Sequence, residues 1–456
     1  MARERLLRMD LYKIEKPDLS KFTIDKIVRR VSEVGDIVQH VASLTHPEYL
    51  YWDVARYKTR PKGISAEEFW AIVKFFRKHA PNRIRSQVKS ESGEYFSWQQ
   101  LPGLTFFLHQ IDLQLGGTLA ADELADPKER RRFISRGIIE EAIASSQLEG
   151  ANTTRKAAKL MIIERRVPRN RSEQMILNNY QTMISIEEEL KDRSLDLRAL
   201  FDLHINLTKE TLEAKDIGRL RTDRDRIVVL NSAQGVVYHV PPKERFLRSE
   251  IERLIAYAND EITERDFVHP VLKAVILHFW LGYLHPFVDG NGRLARALFY
   301  WYLLRKDYWA FSYIPLSRVI KNSPAQYRNA YVYSEQDDHD LTYFVDYNVR
   351  KITLAKKEFE AYVRRKQLEN LQMASTAKNM FMFNERQMQL LRYLHKNPTA
   401  STTIVSHARV YEISLMTARK DLKILEKRGL LSSRKVGRQV PYFPTKQIEK
   451  LFRVKS

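Results

Sequence analysis

His285, Asp289, Arg293 and Arg296 follow one another at spacings of four, four and three in the stretch HPFVDGNGRLAR, His285 to Arg296. The histidine can take a proton from a hydroxyl near neutral pH. Asp289 offers a hard oxygen of the kind Mg²⁺ uses when substrate phosphates complete its shell. Arg293 and Arg296, three apart, share one face of a helix near its start. Gly290-Asn291-Gly292 lies between them, and Gly282, Gly290 and Gly292 all fall within eleven positions. Glycine lets a backbone approach a ligand closely, and successive N–H groups aimed into one space cradle an anion. The helix that opens there adds its unpaired N–H groups and the positive end of its dipole. A base, a metal carboxylate, an amide cradle and two arginines suit phosphoryl or nucleotidyl transfer, where positioning and charge neutralisation carry most of the catalysis.

Two helices must hold this loop. PVLKAVILHFWLGYL (Pro270–Leu284) leads in with apolar residues at helical spacing, and RLARALFYWYLL (Arg293–Leu304) leads out. Phe287 alternates with the polar positions and is expected to point into the core.

In this helix–loop–helix setting the stretch resembles the Fic family, whose signature is H-x-F-x-[DE]-G-N-[GK]-R-x-x-R. Every fixed position is met, by His285, Phe287, Asp289, Gly290, Asn291, Gly292, Arg293 and Arg296. The resemblance implies transfer of AMP from ATP to a side-chain hydroxyl of a target protein or of the chain itself. It implies His285 as base, Asp289 on Mg²⁺, and Gly290, Asn291, Gly292, Arg293 and Arg296 on the nucleotide phosphates. Doc-type kinases carry lysine where Gly292 stands, so glycine here favours adenylyl over phosphoryl transfer. Removal of AMP, and transfer of UMP or phosphocholine, stay open.

Two further segments take meaning from the same resemblance. Ser145-Ser146-Gln147-Leu148-Glu149-Gly150, at the end of an expected helix near 132–150, resembles the family's inhibitory motif [ST]-x-x-x-E-[GN]. Glu149 would then pair with Arg296, and a carboxylate held on that guanidinium would repel the incoming triphosphate. IVVL (Ile227–Leu230) and VVYHV (Val236–Val240), with Gly235 in the turn between them, read as a β-hairpin closed by Pro241-Pro242. Fic proteins carry such a flap, which aligns a target segment by strand addition. Val236, Val237, Tyr238 and His239 are the expected docking residues. Arg219 and Arg221 lie on the approach to the flap, and Tyr327 and Tyr331 are candidates for a place near adenine, with core packing as the alternative.

The chain has 456 residues, no cysteine and a net charge of +21. The missing cysteines exclude disulfides, thiolate zinc sites and a cysteine nucleophile, and suit a reducing cytoplasm. No apolar run is long enough for a membrane span or signal peptide, so a cytoplasmic protein with no membrane partner is expected. The excess of positive charge calls for a polyanionic partner. It is concentrated late: residues 384–456 hold 16 Lys/Arg against 5 Asp/Glu. There, NERQMQLLRYLHKNP, TASTTIVSHARV and SLMTARKDLKILEKRGLLSS read as three helices and RKVGRQVPYFP as a β-wing, resembling a winged helix-turn-helix. Thr417, Arg419 and Lys420 would lie on a helix that enters a DNA groove, with Arg434, Lys435 and Arg438 on the wing. A protein-docking or dimerising winged helix is the alternative.

The expected architecture is mainly α. Residues 1–100 form a helical N-terminal region in which 82–98 could be a strand pair. A Fic-type helical core with its flap follows over 101–372, then a linker over 373–383 and a winged helix over 384–456. Tyr49, Tyr51 and Trp52 lie among arginines in the first region and read as an ordinary domain surface rather than a nucleic-acid contact. Two functions from different classes fit: an adenylyltransferase braked by Glu149, or a nucleotide-sensing DNA-binding regulator. Relatives often dimerise, so a homodimer is an open expectation.

Overall fold

The computed structural model describes residues 11–115, 127–231, 235–262, 267–377, 383–435 and 440–452. It is mainly helical, with three antiparallel two-stranded hairpins among the described residues. In chain order the first half holds α1 (Ile24–Glu33), α2 (Ile37–Ser43), α3 (Ala66–Lys78), β1 (Arg83–Lys89), β2 (Tyr95–Gln99), α4 (Leu104–Leu115), α5 (Pro127–Leu148), α6 (Arg155–Ile163), α7 (Arg171–Glu188) and α8 (Leu197–Thr208). Strands β3 (Val229–Asn231) and β4 (Val236–His239) follow, then α9 (Glu244–Ala258), α10 (Pro270–Leu284), α11 (Asn291–Arg305), α12 (Leu316–Lys321), α13 (Pro324–Gln336) and α14 (Thr342–Ala377). The chain divides into two compact units, Met1–Asn152 with Asn170–Phe359, and Thr153–Arg169 with Glu360–Ser456. This division differs from the expected one in two ways. The first hundred residues share a unit with the helices that hold the signature, and residues 153–169 fall in the C-terminal unit.

The N-terminal region is helical with one interruption, the β1–β2 hairpin at the place where the sequence allowed a strand pair. Its aromatic residues are core. Tyr49, Tyr51 and Trp52 are buried in one cluster with Trp70 of α3, Val332 of α13 and Tyr343 of α14. Arg77 lies 3.6 Å from the Tyr49 ring centroid, and the Tyr49 hydroxyl donates to Asp340 at 2.8 Å. Mixed basic and aromatic residues thus serve packing, with the guanidinium stacked on a ring face.

Helices α10 and α11 form the centre of the first unit. Pro270 opens α10 at a position whose N–H has no helical partner, and His269 caps it by accepting from Val271 N–H at 3.2 Å. From Val271 to Leu284 every residue is buried except Gly282, so the helix is apolar all round. Gly282 is needed for close packing: a Cβ there would come within 2.5 Å of the Tyr331 hydroxyl on α13. Truncating a side chain such as Leu277 in this centre would cost roughly 2–5 kcal/mol.

The flap is short, with Leu230 paired to Val237 and Val229 to His239. It is not isolated. Leu11 forms a parallel bridge with Val237, Tyr12 N–H donates to Val237 O at 2.7 Å, and Gln336 of α13 holds the same segment through Tyr12 O and Ile14 N–H.

The second unit contains α15 (Glu385–Lys396), α16 (Ile404–Val410), α17 (Leu415–Lys427), β5 (Leu431–Ser433), β6 (Tyr442–Pro444) and α18 (Gln447–Phe452). Asn384, Thr403 and Ser414 cap the first three of these helices by accepting backbone N–H groups. Buried Asp421 on α17 ties them together, receiving hydrogen bonds from Asn384 and Arg386 and facing His407. Helix α14 continues through Ala377, into the stretch 373–383 expected as a linker, and residues 378–382 lie outside the description. No described helix is long and apolar enough to cross a membrane.

Candidate active site

The signature loop is closed by its own side chains. Asn291 Nδ2 donates to Phe287 O at 2.7 Å, and Phe287 N–H donates back to Asn291 Oδ1 at 2.9 Å. Asn291, expected on the phosphates, braces the loop with its amide, which leaves its backbone N–H and the second Nδ2 hydrogen for an anion. Phe287 is fully buried and stacks on the His204 ring of α8, with centroids 3.8 Å apart and planes 7° from parallel. His204 Nδ1 accepts from Gly218 N–H, so the proton sits on Nε2, which donates to Asp289 O at 2.9 Å. Burial pushes the His204 pKa down to about 4, keeping this bridge neutral. Gly290 has φ +87°, and a Cβ there would press on Thr208 at 2.9 Å.

His285 caps α10 in the left-handed region, φ 47° and ψ 58°, a conformation that costs a non-glycine residue on the order of 1 kcal/mol. It is held there from the flap's approach. Arg221 Nε donates to His285 O at 2.7 Å, and its Nη2 donates to Leu284 O and Pro242 O. Arg219 has a separate task, tying Asp216 and Asp225 together. The His285 imidazole is half-buried, and its pKa is lowered to about 3, first by burial and then by the nearby His239. It is therefore neutral, with a nitrogen free to accept a proton.

The anion cradle is the start of α11. Its first intrahelical bond runs from Leu294 N–H to Gly290 O, so the N–H groups of Asn291, Gly292 and Arg293 precede the ladder. Arg293 is 0% and Arg296 2% exposed. Arg293 Nη1 donates to Leu207 O at 2.7 Å, while its Nε and Nη2 have no hydrogen-bond partner among the described residues. Arg296 donates through Nε to Ser145 Oγ at 2.8 Å and through Nη2 to Ser145 O and Glu149 Oε1 at 3.0 and 2.9 Å, and its Nη1 meets no hydrogen-bond acceptor among the described residues. A buried guanidinium N–H without an acceptor is costly. Three such atoms around one helix start fit an anion. Burial lowers the Arg293 pKa; for Arg296 Glu149 more than offsets burial and raises it.

Glu149 lies directly over this cradle. A Cβ on Gly292 would meet Glu149 Oε1 at 2.1 Å. Glu149, expected on Arg296, is there, and Ser145 joins it on the same guanidinium. Asp289 stands at the cradle's edge with its carboxylate partly exposed: Oδ1 accepts Gly290 N–H at 2.6 Å, and Oδ2 accepts Arg171 Nη2 at 3.1 Å. No group of three or more His, Asp or Glu able to hold a metal is found among the described residues. A lone carboxylate of this kind suits a cation whose other ligands are phosphate and water.

The flap residues divide. Val237 and His239 are buried, and the Tyr238 ring packs on Tyr12 and takes the Arg328 guanidinium at 4.4 Å, so their side chains serve the fold. Tyr327 and Tyr331 are partly buried against the core: the first pairs with His278 Nε2 at 2.8 Å, and the second donates to His278 O at 3.2 Å. On the winged helix, Arg419, Lys420 and Lys435 are exposed. Thr417 caps α17 with Ser414, and Arg434 lies over Phe443 at 4.4 Å. Arg438 lies outside the described residues.

Residues 194–303 match the model of the Fic/DOC family. The chain carries a Fic domain. Residues 386–439 match the DeoR-like helix-turn-helix domain, which agrees with the winged helix. The chain is similar to the protein adenylyltransferases Fic of Drosophila grimshawi and Drosophila mojavensis, each 39% identical over 70 residues. That alignment covers 15% of this chain and 14% of each relative, so the chain spans about one seventh of the length of the curated relatives it matches. Among solved structures, it is similar to a Fic family protein from Desulfovibrio desulfuricans, at 18% identity over 76% of this chain and 97% of that one, with a TM-score of 0.47. The corresponding values for Fic-1 from C. elegans are 18%, 58%, 73% and 0.45. The Fic match ends before α13 and begins after α7, so Ser145, Glu149 and Arg171 come to the domain's site from outside the matched stretch.

Proposed function

We propose that the Fic domain is a protein adenylyltransferase that moves AMP from ATP to a hydroxyl of a target protein or of the chain itself, with Glu149 as its brake. The observation that carries this reading is the pair of buried arginines at the start of α11, with guanidinium N–H groups left over beside a neutral histidine. ATP binds with its phosphates on the backbone N–H groups of Asn291, Gly292 and Arg293 and on both guanidiniums. The acceptor hydroxyl gives its proton to the free nitrogen of His285, and its oxygen bonds to the α-phosphorus. The bond from that phosphorus to the bridging oxygen breaks, and pyrophosphate leaves with its charge met by Arg293 and Arg296. Asp289 would hold a Mg²⁺ ion, which supplies further charge neutralisation at the phosphates.

Glu149 supports the brake. It takes one arm of Arg296 and occupies space over the N–H groups that the phosphates need, where its charge repels a triphosphate. The curated Drosophila relatives favour adenylyl transfer over the alternatives. Wild type, Glu149→Gly and His285→Ala incubated with α-labelled ATP and Mg²⁺ test the reading. Label is expected on Glu149→Gly, weakly on wild type and not on His285→Ala. Label on His285→Ala removes the assigned base, and no label on any of them removes the donor.

A second reading has its own observation: the DeoR-like domain presents exposed Arg419, Lys420 and Lys435. In that reading the chain is a DNA-binding regulator whose Fic domain senses nucleotide. Binding to genomic fragments that responds to ATP and is indifferent to His285→Ala favours it. Loss of all binding to duplex removes it.

A further inference from the structure

His239 is a buried titratable group beside the proposed base that the transfer scheme leaves without a part. It ends β4 and is 8% exposed. Nδ1 lies 2.7 Å from Glu335 Oε2 on α13, and Nε2 lies 2.8 Å from Tyr283 O in the last turn of α10. Both neighbours are acceptors with no proton to give. A neutral imidazole has one N–H and can satisfy only one of them. Both bonds form at once only when the ring is an imidazolium. Burial opposes that charge and Glu335 more than offsets it, so the His239 pKa stands above its ordinary value.

The cation has a defined place. Its ring centroid is 6.5 Å from that of His285. At the end of α10 the carbonyls would otherwise lack partners. His239 takes Tyr283 O, while Arg221 takes Leu284 O and His285 O. The groups facing His285 are therefore His239 from the flap, Arg221 from its approach, Asp289 from the loop and the Gly282 carbonyl of its own helix. A cation near a helix C-terminus is also favoured by the helix dipole.

We propose that His239, held as an imidazolium by Glu335, is a positioning residue that adds to burial in lowering the pH at which His285 takes up a proton and fixes the flap to the helix end that carries it. The proposal rests on reading His285 as the base. It makes the flap a part of the chemistry: strand β4 carries the charge, α13 carries its counter-ion, and the base lies between them and the phosphates. Without the cation, His285 takes up a proton at a higher pH, which moves the acid limit of proton acceptance upward.

Nitrogen-15 histidine spectra of the full chain test this without relying on turnover. In wild type at pH 7, the His239 nitrogens are expected to show the doubly protonated pattern and those of His285 the neutral one. His239→Gln and Glu335→Gln are each expected to raise the His285 titration midpoint, by about one pH unit for a charge at this distance in a partly solvated site. His239→Gln moves it further, because it leaves Glu335 unbalanced. The double variant is expected to fall back to the Glu335→Gln midpoint, since it removes the unbalanced carboxylate along with the cation. In a Glu149→Gly background, the acid limb of the AMP-incorporation profile moves up with the midpoint, whereas a purely structural role lowers the rate and leaves the limb in place. A neutral His239 in wild type, or a folded variant whose His285 midpoint stays put, overturns the proposal. If both variants fail to fold, the wild-type spectrum still decides it through the His239 pattern. Label on His285→Ala, in contrast, would remove the base assignment and leave the His239 charge state as measured.

Discussion

The Fic site and the winged helix use the same residue types in opposite ways. Arg293 and Arg296 are buried, and their bonded nitrogens have named acceptors: Leu207 O, Ser145 and Glu149. Arg419, Lys420 and Lys435 stand in solvent. A buried guanidinium is fixed in direction, so it can select a ligand by geometry, and an uncompensated N–H there makes the ligand's absence costly. An exposed cation is mobile and screened, and its contribution to a polyanion is released counter-ions rather than fixed geometry. Position, rather than residue identity, separates recognition of one phosphate group from attraction to a strand of them.

The sharpest way to break the contrast is Arg296→Ala. It removes the partner of Glu149 and Ser145 in a closed site, where breaking a buried pair costs roughly 3–5 kcal/mol. Nucleotide affinity measured by calorimetry in a Glu149→Gly background should fall at least about a hundredfold; unchanged affinity would show that the cradle does not use this arginine. Next comes acid sensitivity. Burial lowers the pKa of His278 to about 3 and of His204 to about 4. Below the ordinary histidine value near 6.5 the unfolded chain binds protons that the folded one refuses, so stability falls as pH drops from there toward those values. At pH 5 the loss should be about 1–2 kcal/mol per histidine, read from urea midpoints at pH 7.5 and 5. An unchanged midpoint would mean that these rings are protonated in the fold.

Gly292→Ala has a smaller effect and a definite sign. Its Cβ collides with Glu149 Oε1, so the carboxylate must leave while the helix stays, and AMP incorporation should rise roughly five- to fiftyfold, within the range of an ordinary coupling energy. A fall would place the glycine's importance in the phosphate contact instead. Lys420→Ala marks the other end of the scale. Duplex affinity should weaken only a few-fold, and the slope of log affinity against log salt should shrink by about one. A loss as steep as that at Arg296 would abolish the distinction between the two regions.

The parts legible in the sequence are those whose chemistry lies close together along the chain. His285, Asp289, Gly290 and the two arginines share twelve positions, and helical spacing suffices to bring Ser145 and Glu149 onto one side of α5. Residues that reach the loop from far away left no such trace. His204 and Thr208 under Gly290, Arg171 on Asp289, and Glu335 on His239 are separated from their partners by 80 to 120 positions, and nothing local marks them. Burial was the second obstacle. Tyr49, Tyr51 and Trp52 have the composition of a binding surface and the environment of a core, and only packing tells the two apart. Asn291 shows the same limit on a finer scale. Its type fits phosphate recognition, and its amide also braces the loop through Phe287, which nothing in the local sequence marks.

The segment at Leu11 and Tyr12 has a consequence for traffic at the flap. The outer edge of β4 already has a backbone segment bridged to it, bonded through Tyr12 N–H and clamped by Gln336. Any guest strand that pairs there competes with a tethered resident, whose effective concentration is set by the chain itself and does not fall on dilution. A loosely fitting guest is displaced by the resident, so this edge filters visitors by how well they outbid it.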